Sequence, residues 1–133
     1  MAKKYRSALE KRVADAAARK NCVCEYEPFK IDYSIPERIT RYTPDFLLPN
    51  GILIEVKGYW DAADRKKHRL LRAQHPELDI RFVFSNPCSR IGKNSDTTYG
   101  DYCDKRGWQY AKGEIPSSWL EEPSSAASKK YSA

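Results

Sequence analysis

Thr43-Pro44-Asp45-Phe46-Leu47-Leu48-Pro49-Asn50-Gly51-Ile52-Leu53-Ile54-Glu55-Val56-Lys57-Gly58 is the stretch from which the fold is read. Two apolar runs flank a turn-forming tripeptide, the pattern of a β-hairpin. Two registers are open. If Asn50-Gly51 is a two-residue primed turn, Pro49 pairs with Ile52 and Asp45 lies opposite Val56. If Pro49-Asn50-Gly51 is a type I turn closed by a left-handed Gly51, Leu48 pairs with Ile52 and Asp45 faces Glu55. Proline at the second turn position and glycine at the left-handed one fit the second register well. It makes Phe46, Leu48, Ile52, Ile54 and Val56 one apolar face and puts Asp45, Glu55 and Lys57 together on the other.

On the N-terminal side, Tyr5 to about Lys20 carries Ala8, Leu9, Val13, Ala16 and Ala17 mostly on one stripe, which predicts an amphipathic helix. Val23 to Ile35 alternates loosely, but Pro28 and Pro36 make it an edge or arm strand. On the C-terminal side, Asp61 caps a helix running to about Gln74, stopped by Pro76. Asp79–Phe84 reads as a strand and Ser85–Asp96 as a polar loop. A short helix over Tyr99–Arg106 follows, capped by Thr97 or Thr98 and ended by Gly107. Trp108–Ala111 reads as a last strand. The expectation is one domain over residues 1–122, with a disordered Ser- and Lys-containing tail over 123–133.

The chain has 133 residues, with 24 Lys+Arg against 18 Asp+Glu, a net charge of +6 and a mean hydropathy of −0.77. This is one modest core with a preference for polyanions. No apolar run long enough for a membrane span occurs, and the basic start Met1–Arg6 is not followed by the apolar stretch of a secretory signal, so a cytoplasmic protein is expected. The four cysteines, Cys22, Cys24, Cys88 and Cys103, lack the spacing of a zinc site and read as free thiols.

Asp45, Glu55 and Lys57 on one face admit two readings. One is a solvated strand face carrying ordinary charges. The other is a site for a hard divalent cation, because two carboxylates beside one lysine leave a net negative charge that Mg²⁺ would resolve while also binding phosphate oxygens. Lys57 would then orient or help deprotonate the attacking water and neutralise charge developing on the phosphate. That is a recipe for phosphodiester hydrolysis.

Pro44-Asp45 with Glu55-Val56-Lys57 resembles the PD-(D/E)xK nuclease signature. Tyr42–Gly51, Asp64-Arg65-Lys66-Lys67-His68, Gln74–Arg81 and Thr98-Tyr99-Gly100 more specifically resemble the phage endonuclease I family of Holliday-junction resolvases. The resemblance spans about Tyr5 to Glu122. It implies an α/β fold, a mixed sheet flanked by helices with a restriction-endonuclease-like core, in a domain-swapped homodimer. Helix, strand and bridge over about 5–40 would be exchanged, the bridge falling near Tyr33–Thr40. It also implies shared active sites in which Glu10 of one chain joins Asp45, Glu55 and Lys57 of the other, with Asp45 and Glu55 as ligands of Mg²⁺ (Mn²⁺ substituting). The implied activity is resolution of four-way and branched DNA junctions. Neither a membrane nor a different protein partner is implied.

Arg65, Lys66, Lys67, Arg69 and Arg72 make the second helix basic around much of its circumference, and phosphate contact is expected of some of them. Lys66, Lys67 and His68 lie in the string shared with the family. His68 is read as a phosphate or helix-packing residue rather than a catalytic base. Lys3, Lys4 and Arg6 form a candidate arm on the DNA backbone, and Arg90 and Lys93 sit in a loop that could follow a strand. Trp60, Trp108 and Trp119 read as core anchors. A sequence-specific restriction-type nuclease and a non-catalytic basic DNA-binding protein are the rival readings.

Overall fold

The structure, a computed structural model, describes residues 5–35 and 38–124. Its centre is a mixed five-stranded sheet in the order β1-β4-β5-β6-β7. The strands are β1 (Glu25–Tyr26), β4 (Phe46–Leu47), β5 (Leu53–Lys57), β6 (Ile80–Phe84) and β7 (Tyr110–Lys112). Neighbours from β1 to β5 are antiparallel and those from β5 to β7 parallel. The change of sense follows from the connections. A tight turn can only return β4 as an antiparallel β5, whereas α2 (Ala62–Gln74) and α3 (Tyr99–Arg106) carry the chain back to start β6 and β7 in the same direction.

The second hairpin register is the one formed. Phe46 pairs with Ile54 and Leu47 with Leu53, which sets Asp45 opposite Glu55. The Gly51 N–H donates to the Leu48 carbonyl at 2.9 Å, and Gly51 has φ 93°, the left-handed value that closes the turn. The apolar face meets α1 (Ala8–Arg19) and a short α4 (Ser117–Leu120). Val13 and Ala17 pack with Phe46, Leu48, Ile54 and Val56, together with Ile115 and Trp119. Ser7 caps α1 by accepting the Glu10 N–H, and Asp61 caps α2 by accepting that of Asp64. Thr98 and Asp101 form a reciprocal capping box on α3, which ends at Gly107 with φ 70°.

The opposite face of the sheet is not solvated. It is covered by α2, by α3 and by a separate two-stranded unit, β2 (Ile31–Ile35) paired with β3 (Arg38–Tyr42). The sequence predicts an arm strand and an extended bridge over this region. The chain instead breaks the arm into β1 and β2 in different sheets, and β3 folds back along β2. The break falls at Glu27, which holds φ 43° and donates its N–H to the Asp45 carbonyl at 2.7 Å. The last strand sits two residues later than its predicted start, and α4 has no counterpart in the prediction. Trp60 and Trp119 are buried and Trp108 is half-buried, so all three serve as anchors. The four cysteines are free thiols. No helix among the described residues is long and apolar enough to cross a membrane. Most of the predicted tail, residues 125–133, lies outside the described residues.

Candidate active site

The hairpin register places Asp45 and Glu55 face to face, and the two-residue repeat of β5 puts Lys57 on the same side. The Lys57 ammonium lies 3.7 Å from Glu55 Oε1 and 3.5 Å from Asp64 Oδ2 at the start of α2. The Val56 N–H donates to Asp45 Oδ2 at 2.8 Å, and the Tyr42 hydroxyl donates to Glu55 Oε2 at 2.6 Å. Glu10 arrives from the first turn of α1. Its Oε1 accepts from the Tyr26 hydroxyl and the Arg6 N–H, both at 2.9 Å. Glu10, Asp45, Glu55 and Lys57 line one polar cleft of about 300 Å³ with Arg6, Glu27, Thr43 and Lys67.

Burial makes this charge set unstable as it stands. Glu55 is only 3% exposed. Burial, and then the neighbouring Glu55 charge, push the Asp45 carboxyl up to about 8, the Val56 N–H only partly offsetting them. Glu55 is also raised, by burial above all, against the pull of Lys57 and Tyr42. Burial works against the Lys57 cation, but Glu55, Asp64 and Asp45 outweigh it and its pKa is raised. Lys57 is therefore a protonated donor, which favours charge neutralisation over deprotonation of water.

Among the described residues no ready cage of three or more His, Cys, Asp or Glu side chains stands around a metal position. A Mg²⁺ ion does not require one, since it keeps several waters and takes one or two carboxylates. Asp45 and Glu55 supply two hard oxygen donors whose mutual repulsion a cation would remove. The residues present fit such an ion.

The basic residues read from the sequence separate into groups. Lys66 is exposed on α2, and Lys67 lies at the cleft. Arg6 opens onto the cleft, its Nε 3.2 Å from Glu27. Lys93 and Arg90 are exposed in the loop after β6. Lys3 and Lys4 lie outside the described residues.

Arg65 and His68 do not fit DNA contact. Arg65 is buried, donating to the Trp60 carbonyl at 2.7 Å, and His68 is fully buried between the rings of Tyr42 and Phe82. They face inward because a helix with few apolar residues must still bury one side. Arg72 likewise stacks on Trp108 at 4.5 Å, and Arg69 donates to the Tyr102 hydroxyl. For His68, the helix-packing reading is the one that fits.

Sequence reasoning missed Tyr42, Asp64 and Glu27 as members of the site. Tyr42 and Asp64 stand in the quoted family-like strings, but nothing in their spacing marks an approach to Glu55 or Lys57. Glu27 is brought in by a left-handed backbone that no pattern announces.

The sequence profile of the phage endonuclease I family matches residues 1–132. The chain is 50% identical over 119 residues to "Endonuclease I" of Escherichia phage T7, an alignment covering 90% of this chain and 80% of that protein. It is 52% identical over 119 residues to "Endodeoxyribonuclease 1" of Enterobacteria phage T3, covering 90% of this chain and 78% of that one. With the cleft of opposed carboxylates and lysine on its central hairpin, and a family match running almost end to end, the chain belongs to the phage endonuclease I family of nucleases.

Proposed function

We propose that the protein is a metal-dependent, structure-selective DNA endonuclease that resolves four-way and other branched junctions by phosphodiester hydrolysis. The observation that carries this reading is a buried strand face on which Asp45 opposes Glu55, with Lys57 beside them and Glu10 in the same cleft. Asp45 and Glu55 would hold Mg²⁺, with Mn²⁺ able to replace it, and the ion supplies Lewis acidity and charge neutralisation at the phosphate. Lys57, kept protonated by its carboxylate neighbours, donates to a phosphate oxygen as negative charge builds there. The attacking water forms a new bond to phosphorus while the bond to the leaving sugar oxygen breaks. The water's proton passes to a carboxylate of the cleft, since Lys57 has no lone pair to take it. The departing sugar oxygen takes up a proton from solvent water to leave as a hydroxyl. Arg6 and Lys67 at the cleft, and Lys66 on the exposed side of α2, suit phosphate contacts that fix the duplex arms. Contacts of that kind recognise shape rather than base sequence.

The working unit is a homodimer in which residues up to about 40 are exchanged. In the single chain Glu10 lies in its own chain's cleft. Unpairing β2 from β3 would let α1, β1 and β2 pass to a second copy with the same contacts, at little net cost. Two sites related by symmetry could then cut opposing strands of one junction.

The test offers a four-way junction, a linear duplex and single strands, in Mg²⁺ and then in Ca²⁺. Junction cleavage in Mg²⁺ with binding only in Ca²⁺ is expected. Cutting of linear duplex at one fixed sequence would replace the reading with a restriction-type nuclease, and no cutting would leave a DNA-binding protein. For the exchange, mixing Glu10→Ala chains with Asp45→Ala chains should restore one active site in every mixed dimer. A wholly inactive mixture would mean that each cleft is completed within one chain.

A further inference from the structure

We infer that Tyr42 is a positioning residue, which commits one oxygen of Glu55 to the protein and thereby presents the other to the cation. The inference deepens the metal-dependent reading and rests on it. Tyr42 closes β3 and is 1% exposed, and Glu55 on β5 is 3% exposed. The hydroxyl-to-carboxylate distance is 2.6 Å, within the range of charge-assisted O–H···O⁻ bonds. A buried phenol needs a partner, and a buried carboxylate gains most from a donor that cannot move away.

The ring of Tyr42 is itself held. His68 meets it edge-on with centroids 5.4 Å apart, and the Lys67 ammonium lies 5.5 Å from its centre. His68 is fully buried, and neither ring nitrogen has a hydrogen-bond partner among the described residues, so it acts on Tyr42 as shape rather than as a proton relay. The other oxygen of Glu55 is only loosely engaged, 3.7 Å from Lys57. Tyr42 is not among the residues lining the cleft, so it acts through Glu55 and does not touch substrate. Hydrogen bonds to a ligating carboxylate set its orientation, and removing such partners costs about 10–100-fold in metal affinity.

The test is Tyr42→Phe in the full chain, which keeps the ring and removes the hydroxyl. Calorimetric titration with Mn²⁺ and Ca²⁺, without DNA, should show affinity about 10–100-fold weaker than wild type. Junction binding in the absence of divalent ions should be unchanged, and kcat should fall more than KM rises. Leu53→Val, in the same core cluster, serves as the packing control and should leave cation affinity intact. Unchanged cation affinity in Tyr42→Phe would overturn the inference. An equal loss in Leu53→Val would overturn it too, by assigning the effect to core disturbance. A wild-type chain that binds neither cation would instead bring down the metal-dependent reading itself, and this inference with it.

Discussion

Adjacent strands of the sheet each bury a charge, and the two are treated in opposite ways. Arg81 on β6 is 3% exposed and fully answered. Its guanidinium donates to both oxygens of Asp79, at 2.9 and 2.7 Å, and to both of Glu122, at 2.5 and 2.8 Å. Glu55 on β5 is equally buried, yet it faces another carboxylate, and its lysine stands 3.7 Å away. A charge balanced by its surroundings is structural. A charge set left negative by the fold is maintained at a cost in stability, and such frustration collects at functional sites.

The largest effect should come from Glu55→Gln. Losing the negative oxygen should lower junction cleavage on the order of 10³-fold, in line with removing one charged group from a transition-state site. Junction affinity in Ca²⁺-free buffer should not weaken. Retained turnover would make Glu55 a structural acid, as the partners of Arg81 are, and the comparison would collapse.

Arg81→Met is the mirror experiment. It strands Asp79 and Glu122, but both side chains are more than a third exposed and water can reach them. Destabilisation of about 2 kcal/mol is therefore expected, below the cost of isolating a fully buried ion. Denaturant melts should show it, and kcat should stay near wild type once the folded fraction is corrected for. A fall in kcat would mean that the two charge sites communicate through the sheet.

Asp45→Asn tests the frustration through pH. The folded Asp45 carboxyl sits near 8, above its ordinary value near 4, so between those values the native state holds more protons than the unfolded chain. Stability then falls as pH rises across that window. The variant should melt higher than wild type at pH 8, by about 1–2 kcal/mol after relaxation and water penetration, and match it at pH 4. Equal melting at pH 8 would show that the opposed carboxylates carry no stored repulsion.

The same contrast explains what was legible in the sequence. The hairpin and its site followed from parity and from one turn, because Pro49 and Gly51 admit few backbone solutions and the period of two then sorts every side chain. Helix limits followed from Asp61, Thr98 and Gly107, which act within a turn of themselves. The β2–β3 unit was hidden because its core residues, Ile31, Tyr33 and Tyr42, pack against Leu53, Leu71 and Ile80, distant in sequence. Arg65, His68 and Arg72 were misleading because α2 has few apolar residues and buries polar ones, packed against carbonyls and rings that no local pattern reveals. Tyr42 suffers the same blindness, since its role is one hydrogen bond across the fold.

The smallest effect is expected from Arg6→Ala, which separates a working arginine from a structural one. The Arg6 side chain is 80% exposed and pairs with a partly buried Glu27 at 3.2 Å. Exposed pairs of this kind contribute about 0–1 kcal/mol, so the melting temperature should hardly move. Its backbone N–H, which secures Glu10, survives the substitution, so the carboxylate set should remain in place. What the substitution removes is a cation at the mouth of a cleft proposed to receive a phosphodiester. The expected result is a few-fold weaker junction affinity and a slope of log affinity against log salt shallower by about one. Arg81→Met should leave that slope untouched, because its guanidinium is spent on Asp79 and Glu122. If Arg6→Ala left the slope unchanged as well, Arg6 would serve only to hold Glu27, and the phosphate contacts would have to begin further along α2, at Lys66 and Lys67.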